Sequence, residues 1–160
     1  MGIETNFGTY LGKMDIVSSL ATLSFDKRRS KFFTSELITL LKLVDANIID
    51  PDALFGSWAG AFGNFQFMPS TITNHAIDYN NDKKIDLKNI EDSFASAANY
   101  IKNLGWKNDI PCFYKINLKD DIPLEFLNTS AKKLNNKRKV KYFSKYIENS
   151  DYLKQFNNLN

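Results

Sequence analysis

A mainly α-helical fold is predicted by three features of the sequence. Over Arg28–Ala46, Phe33, Leu37, Leu40, Leu41 and Val44 recur at i, i+4, i+7, i+8 and i+11, which gathers them into one apolar stripe on a helix. Ile90, Phe94, Ala97, Ala98 and Ile101 repeat that spacing, with Gly105 placed to end the second helix. The chain has 160 residues, 43% of them hydrophobic, with thirteen Phe and seven Tyr. That is enough apolar surface for one domain to bury a core and offset the entropy of folding.

In chain order, Gly2, Gly8 and Gly12 break residues 1–13 into the end of one element and a tight connection. Asp15–Phe25 then reads as a short helix with Asp15 as its cap. After the first amphipathic helix, Asp50-Pro51-Asp52 signals a turn and a helix start. Pro69 opens another short helix, running to about Ile77, because proline is tolerated in a first turn. Beyond Trp106 the pattern weakens. Residues 109–129 carry two prolines and short apolar runs suited to extended structure, and residues 131–160 are rich in Lys and Asn around Val140, Phe143 and Ile147.

The most distinctive stretch is Gly56–Ser70, GSWAGAFGNFQFMPS. No charged residue falls between Asp52 and Asp78, although 24% of the chain is charged. The stretch holds three glycines, the aromatics Trp58, Phe62, Phe65 and Phe67, and the uncharged hydrogen-bonders Ser57, Asn64 and Gln66. Two readings stand side by side. The mixture suits a neutral, hydroxyl-rich ligand, with aromatic faces against a sugar ring and close backbone approach at glycine. It also suits a buried turn in a hydrophobic core. Asn64, Gln66 and Pro69 interrupt it too soon for a membrane span.

Composition excludes several classes of function. A single cysteine, Cys112, leaves no internal disulfide and no cysteine-based zinc site, and a single histidine, His75, excludes histidine-built metal centres. Oxygen-ligated cations remain. A net charge of +3 is too mild to argue for nucleic acid. The basic tail, Lys132, Lys133, Lys137, Arg138, Lys139, Lys141 and Lys145, lacks a nucleic-acid motif and reads as solvated. The N-terminus has an acid at Glu4 and no apolar core of signal-peptide type, so either a cytoplasmic protein or a fragment of a longer exported chain is expected.

Three constellations carry candidate chemistry. Asp78, Asn80 and Asp82 match positions 1, 3 and 5 of an EF-hand loop, with Asp92 able to close a longer loop, although Lys83 stands where glycine is usual and Asn89 where a bidentate Glu is usual. The plain alternative is a solvated Asn/Asp turn. Glu4, taken alone, is an ordinary surface acid, but Ile3 and Phe7 beside it are expected to desolvate it and favour the protonated form of a general acid. Arg28-Arg29 suits a carboxylate-bearing ligand, or else a plain helix surface.

These pieces, in this order, resemble the membrane-bound lytic murein transglycosylase B family of bacterial cell-wall enzymes. The resemblance rests on GIETNFG, on ATLSFDKRRSKFF at Ala21–Phe33, on GSWAGAFGNFQFMPS, on the Asp78–Asp92 loop and on ASAANYIKNLGW at Ala95–Trp106, and covers residues 2–106. It implies a lysozyme-like helical domain with an EF-hand-like loop that binds peptidoglycan glycan strands. Such enzymes cleave the β-1,4 bond between N-acetylmuramic acid and N-acetylglucosamine without water, leaving 1,6-anhydro ends. Matched by motif, Glu4 is the single acid/base; Ser57, Gln66, Tyr100, Arg28 and Arg29 contact substrate; and Tyr146 in KYIENSDY matches a substrate-binding tyrosine. Asp78, Asn80, Asp82, the carbonyl of Lys84 and Asp92 fall at a calcium loop, which implies a weakly held, structural Ca2+ and no organic cofactor.

The family also implies a periplasmic or outer-membrane-associated protein with peripheral or lipid-anchored attachment. Residues 1–106 are then the catalytic core and 107–160 a shortened C-terminal part of the same domain. Only Met1-Gly2-Ile3 precede Glu4, where family members carry a longer segment, so a chain truncated at both ends, or completed by a separate N-terminal fragment, is expected. Two other readings are carried forward: a catalytically impaired peptidoglycan-binding remnant, and an intracellular calcium-binding or basic interaction protein.

Overall fold

The computed structural model describes residues 1–108, 115–127, 138–148, 150, 151 and 153. It forms two compact units, Met1–Asn108 and Asp109–Asn160. The first begins with one helical turn, α1 (Gly2–Thr5), which Asn6 ends in the left-handed region. A connection follows, and then the two-residue strand β1 (Met14–Asp15). The Asp15 side chain accepts the Ser18 N–H at 2.6 Å and so caps α2 (Ile16–Phe25), as the sequence predicts. Next comes α3 (Ser30–Asp45). A 3₁₀ turn at Pro51–Ala53, capped by Asp50, leads to strand β2 (Phe55–Gly56). β2 pairs antiparallel with β1, Met14 opposite Gly56 and Asp15 opposite Phe55. Two further helices complete the unit: α4 (Pro69–His75), opened by its proline, and α5 (Ile90–Asn103), capped by the Asn89 side chain and ended at Gly105 with φ +97°.

One core holds these elements together. Ile16 and Leu20 of α2 and Leu40 of α3 are fully buried, with Phe33, Leu43, Ile49, Leu54, Phe62, Phe67, Ile72 and Leu87 around them. Each large apolar side chain withdrawn from water contributes about 1.5–3 kcal/mol, which is why α2 and α3 pack along each other although neither would persist alone.

Both amphipathic helices exist; α3 lays most of its predicted stripe on the core, with Phe33 and Leu40 buried and Leu37 and Val44 packed against them, whereas α5 does not. On α3 the buried row is Phe33, Glu36, Leu40 and Leu43, while Leu41 is 45% exposed. The helix is turned toward α4 because Glu36 caps it: the carboxylate accepts the Ser70 N–H at 2.9 Å and the Ser70 hydroxyl at 2.6 Å. On α5 the departure is larger. The buried row is Asp92, Ser93, Ser96 and Ala97, whereas Ile90, Phe94 and Ile101 are exposed.

In the second unit, described by itself, the 3₁₀ turn Leu124–Phe126, the short helix α6 (Val140–Phe143) and the 3₁₀ turn Ser144–Tyr146 surround the Phe126 ring. That ring meets Tyr142, Phe143 and Tyr146 at centroid distances of 6.0, 5.6 and 5.8 Å. Leu118 bridges to Ile147, which is buried, as is Leu153. Cys112, Lys132, Lys133, Lys137 and Tyr152 lie outside the described residues. Among the described residues, no helix is long and apolar enough to cross a membrane.

Candidate active site

Glu4 occupies the single turn α1, and that turn and the segment that follows it are fastened to the neutral stretch at three points, of which Thr5 alone lies in the turn itself. Thr5, 1% exposed, donates its hydroxyl to the Asn64 carbonyl at 2.9 Å. The Gln66 amide donates to the Leu11 carbonyl at 3.3 Å. Met14 pairs with Gly56 across β1 and β2. Glycine is required at that crossing, because an added Cβ at Gly12 would collide with the Gly56 carbonyl. The Gly8 N–H returns to the Thr5 hydroxyl at 3.1 Å and the Tyr10 N–H to the Thr5 carbonyl at 3.0 Å, closing a compact turn around Glu4.

The apolar shelter expected for Glu4 is not there. Glu4 is exposed, Ile3 is 100% exposed and Phe7 76%, since Asn6 and Phe7 adopt left-handed backbone (φ 47° and 57°) that turns the segment outward. The residue that enters the core is the neighbouring Thr5.

The buried-turn reading holds for much of the neutral stretch. Gly56, Gly60, Phe62, Gly63, Asn64, Phe67 and Pro69 are buried, so the glycines serve close packing within the protein: a Cβ at Gly60 would strike Leu20, and one at Gly63 would strike Leu87. Phe62 and Phe67 exchange N–H···O bonds of 3.1 and 3.0 Å across a tight turn, which Gln66 enters at φ 53°. The exposed side carries Trp58, which is 68% exposed. It stands between two hollows, of about 210 Å³ beside Asp26, Arg28, Arg29 and Phe33, and of about 270 Å³ beside Met14, Ser18 and Thr22. An aromatic ring flanked by hydroxyl and guanidinium groups is suited to a sugar bearing an anionic substituent.

The structure sorts the remaining predicted contacts. Ser57 is half-buried and accepts the Ala61 N–H at 3.1 Å. Arg28 is already paired: its guanidinium reaches Asp26 at 2.7 Å and holds that carboxyl down at about 2 by hydrogen bonding. Arg29 lies over the Phe32 and Phe33 rings at 4.5 and 5.1 Å. Tyr100 sits half-buried between Phe67 and His75, with centroids at 5.6 and 5.1 Å. Tyr146 belongs to the second unit, where its carbonyl accepts the Lys119 N–H at 2.9 Å and the Lys145 ammonium lies 4.6 Å from its ring.

The Asp78–Asp92 loop is wound by its own side chains. Asp78 accepts the N–H groups of Asp82 and Lys83 at 3.2 and 2.8 Å, Asn80 accepts that of Asp82 at 3.1 Å, and Asp82 accepts that of Lys84 at 2.8 Å. Lys83 takes φ 70°, the left-handed turn for which an EF-hand loop uses glycine. Asp92, 1% exposed, closes the loop by accepting Tyr79 N–H at 2.9 Å and Asp86 N–H at 3.0 Å. Among the described residues, no three His, Cys, Asp or Glu side chains are gathered to hold a metal. A hard cation would therefore need the Asn80 amide oxygen and the Lys84 carbonyl beside Asp78 and Asp82, an all-oxygen set of the kind calcium accepts. The Lys84 ammonium does not oppose this, since it is directed to Asp50 at 3.4 Å.

Sequence reasoning missed Thr5, Glu36 and Asn64 as structural anchors. Threonine beside a glutamate, or asparagine in a neutral run, carries no periodic or motif signal; only the partners 59, 34 and 29 residues away identify them.

Comparison with known proteins agrees with this geometry. The model of the transglycosylase SLT domain family matches residues 1–155. Membrane-bound lytic murein transglycosylase B of Escherichia coli K12 is 44% identical over 107 residues, which is 66% of this chain and 30% of that protein. Escherichia coli lytic transglycosylase Slt35 in complex with calcium is similar at a TM-score of 0.68 and 41% identity, over 76% of this chain and 40% of that one. SltB3 of Pseudomonas aeruginosa in complex with NAG-NAM-pentapeptide is similar at a TM-score of 0.71 and 35% identity, over 76% of this chain and 33% of that one. The chain spans about a third of the length of these relatives, and the likeness extends to their mainly α, lysozyme-like fold.

Proposed function

Because this chain belongs to the transglycosylase SLT domain family, we propose that it is the catalytic core of a peptidoglycan lytic transglycosylase. Glu4 first gives its proton to the glycosidic oxygen as the bond from the muramoyl anomeric carbon to that oxygen breaks. The carboxylate then takes the proton of the muramoyl 6-hydroxyl, whose oxygen bonds to the same carbon and closes the 1,6-anhydro ring. No second carboxylate and no water are consumed, in contrast to the two-acid glycosidase scheme. Trp58 and Ser57 receive the sugar, Gln66 and Tyr100 line the same stretch, and Arg28 and Arg29 attract the acidic peptide; in the second unit, Tyr146 is the residue proposed to meet glycan.

The observation that carries this reading is the bond that ties the Glu4 turn to the neutral stretch through Thr5, with the chain after it held to the same stretch through Gln66 and β1. A held carboxylate beside uncharged, aromatic surface is what a substrate-borne nucleophile requires, since positioning supplies much of the rate. Digestion of purified sacculi, with mass spectrometry of the released muropeptides, tests it. The wild-type chain is expected to release 1,6-anhydro ends and Glu4→Gln to lower that release by a factor of about 100 or more; equal release by the two removes Glu4 from the chemistry.

One observation favours the second reading, a glycan-binding remnant: Glu4 is exposed, with no apolar neighbour packed over it. Retained pull-down with sacculi and no release by either protein would select it. We further propose action in the periplasm or at the outer membrane, with peripheral or lipid-anchored attachment, a reading supported by the membrane-bound character of one relative.

Calcium is proposed as a weak, structural ligand of Asp78, Asn80, Asp82, the Lys84 carbonyl and Asp92. The solved structure of a relative with calcium supports it. Lys83→Gly relieves the left-handed strain, worth about 1 kcal/mol, and removes a positive charge from the loop. It should tighten calcium binding by calorimetry; an unchanged, absent response in both proteins excludes the ion.

A further inference from the structure

We propose that Asn64 is the positioning residue for Glu4, a link through which the end of the Asp78–Asp92 loop and the start of α5 hold the catalytic turn in place. The proposal rests on Glu4 being the acid/base. Asn64 is 3% exposed, and its N–H, its carbonyl and its side-chain NH2 are all hydrogen-bonded. Its backbone N–H donates to the Leu87 carbonyl at 2.8 Å. The side-chain amide donates to the Lys88 carbonyl and to the Ser93 hydroxyl, both at 3.1 Å. Its own carbonyl accepts the Thr5 hydroxyl at 2.9 Å, one residue from Glu4. The Ser93 hydroxyl in turn donates to Ile90. Beside Ser93 on α5, Asp92 ties Tyr79 and Asp86.

Elementary chemistry explains why asparagine stands here. Two donors on one planar group are needed to satisfy the Lys88 carbonyl and Ser93 together, and only an amide of this length supplies them. α1 is too short to hold itself, because one turn leaves most of its backbone groups without helical partners. Its place must therefore come from Thr5, and Thr5 is held by a carbonyl whose own position is set from two neighbouring segments. Catalysis demands placement within a fraction of an ångström, so looseness in this relay costs turnover before it costs affinity.

The experiment is residue-resolved hydrogen exchange by NMR on the full chain, with sacculus turnover measured on the same samples. Asn64→Ala is expected to speed exchange at the Gly8 and Tyr10 amides, both bonded to Thr5, by about 10-fold, while amides of α2 and α3 keep their protection. Ser93→Ala should give a smaller change in the same direction. Thr5→Val should reproduce the Asn64 effect and Thr5→Ser should abolish it, a rescue that also serves if Asn64→Ala does not fold. In turnover, kcat should fall with KM for glycan little changed. Unaltered Gly8 and Tyr10 exchange, or a uniform loss of protection throughout the first unit, overturns the proposal. If the wild-type chain shows no turnover, the transglycosylase reading fails, and the exchange pattern still decides whether Asn64 holds the turn.

Discussion

α3 and α5 carry the same apolar spacing and bury opposite kinds of surface. α3 presents Phe33, Leu40 and Leu43 to the core, with Glu36 as its one buried charge. α5 turns Asp92, Ser93, Ser96 and Ala97 inward and leaves Ile90, Phe94 and Ile101 exposed. The difference lies in what each helix must support. α3 packs along another helix, whose backbone groups are already satisfied. α5 packs against irregular chain, and such chain needs acceptors: Ser96 takes the Ile77 N–H at 2.9 Å, Asp92 those of Tyr79 and Asp86, and Ser93 the Asn64 amide. A polar buried face is the sign of a helix that organises loops.

Leu40→Ala and Asp92→Ala put the two faces in direct competition. Leu40→Ala should cost about 2–5 kcal/mol by leaving a cavity. Asp92→Ala should cost about 1–3 kcal/mol by taking the acceptor from two partly buried N–H groups. Denaturant unfolding measures both, and a loss below about 0.5 kcal/mol for Asp92→Ala would erase the distinction. Ile90→Ser, on the exposed side of α5, should change stability by no more than about 0.5 kcal/mol; a larger cost in the same titration means that this face is covered in solution.

The smallest effect concerns the hollow beside Trp58. Asp26 titrates at about 2 against an ordinary 3.8, because Arg28 bonds its charged form. A depressed value means that the pair contributes above pH 3.8 and is lost as pH falls toward 2. Followed by NMR, the Asp26 midpoint should rise toward 3.8 in Arg28→Gln without reaching it, because the backbone N–H of residue 28 still donates to the carboxylate; an unchanged midpoint assigns the shift to another group.

Local features were legible in the sequence. The Asp15 cap, the Pro69 start and the Gly105 stop all act within one helical turn, so adjacent residues suffice to specify them. The Asp78–Asp82 turn was legible for the same reason, each side chain capping an N–H two to five residues on. Of the candidate site, the motifs picked out Glu4, Ser57, Gln66 and the arginine pair, and the structure brings the Glu4 turn against the neutral stretch. The shelter expected for Glu4 was not legible, because it depended on two left-handed residues that send Ile3 and Phe7 outward.

By itself, then, the sequence determined where helices begin and end, and that they are amphipathic, since propensity and capping are short-range. Only the tertiary structure decided which face each helix buries, and that Thr5 and Asn64, rather than the conspicuous acids, are buried and bonded to each other beside Glu4. Those outcomes follow from pairing buried polar groups across 59 and 29 residues of chain. A buried donor without its acceptor costs about 1–3 kcal/mol, comparable with what burying a leucine gains, so the helices turn to satisfy the loops as well as the core.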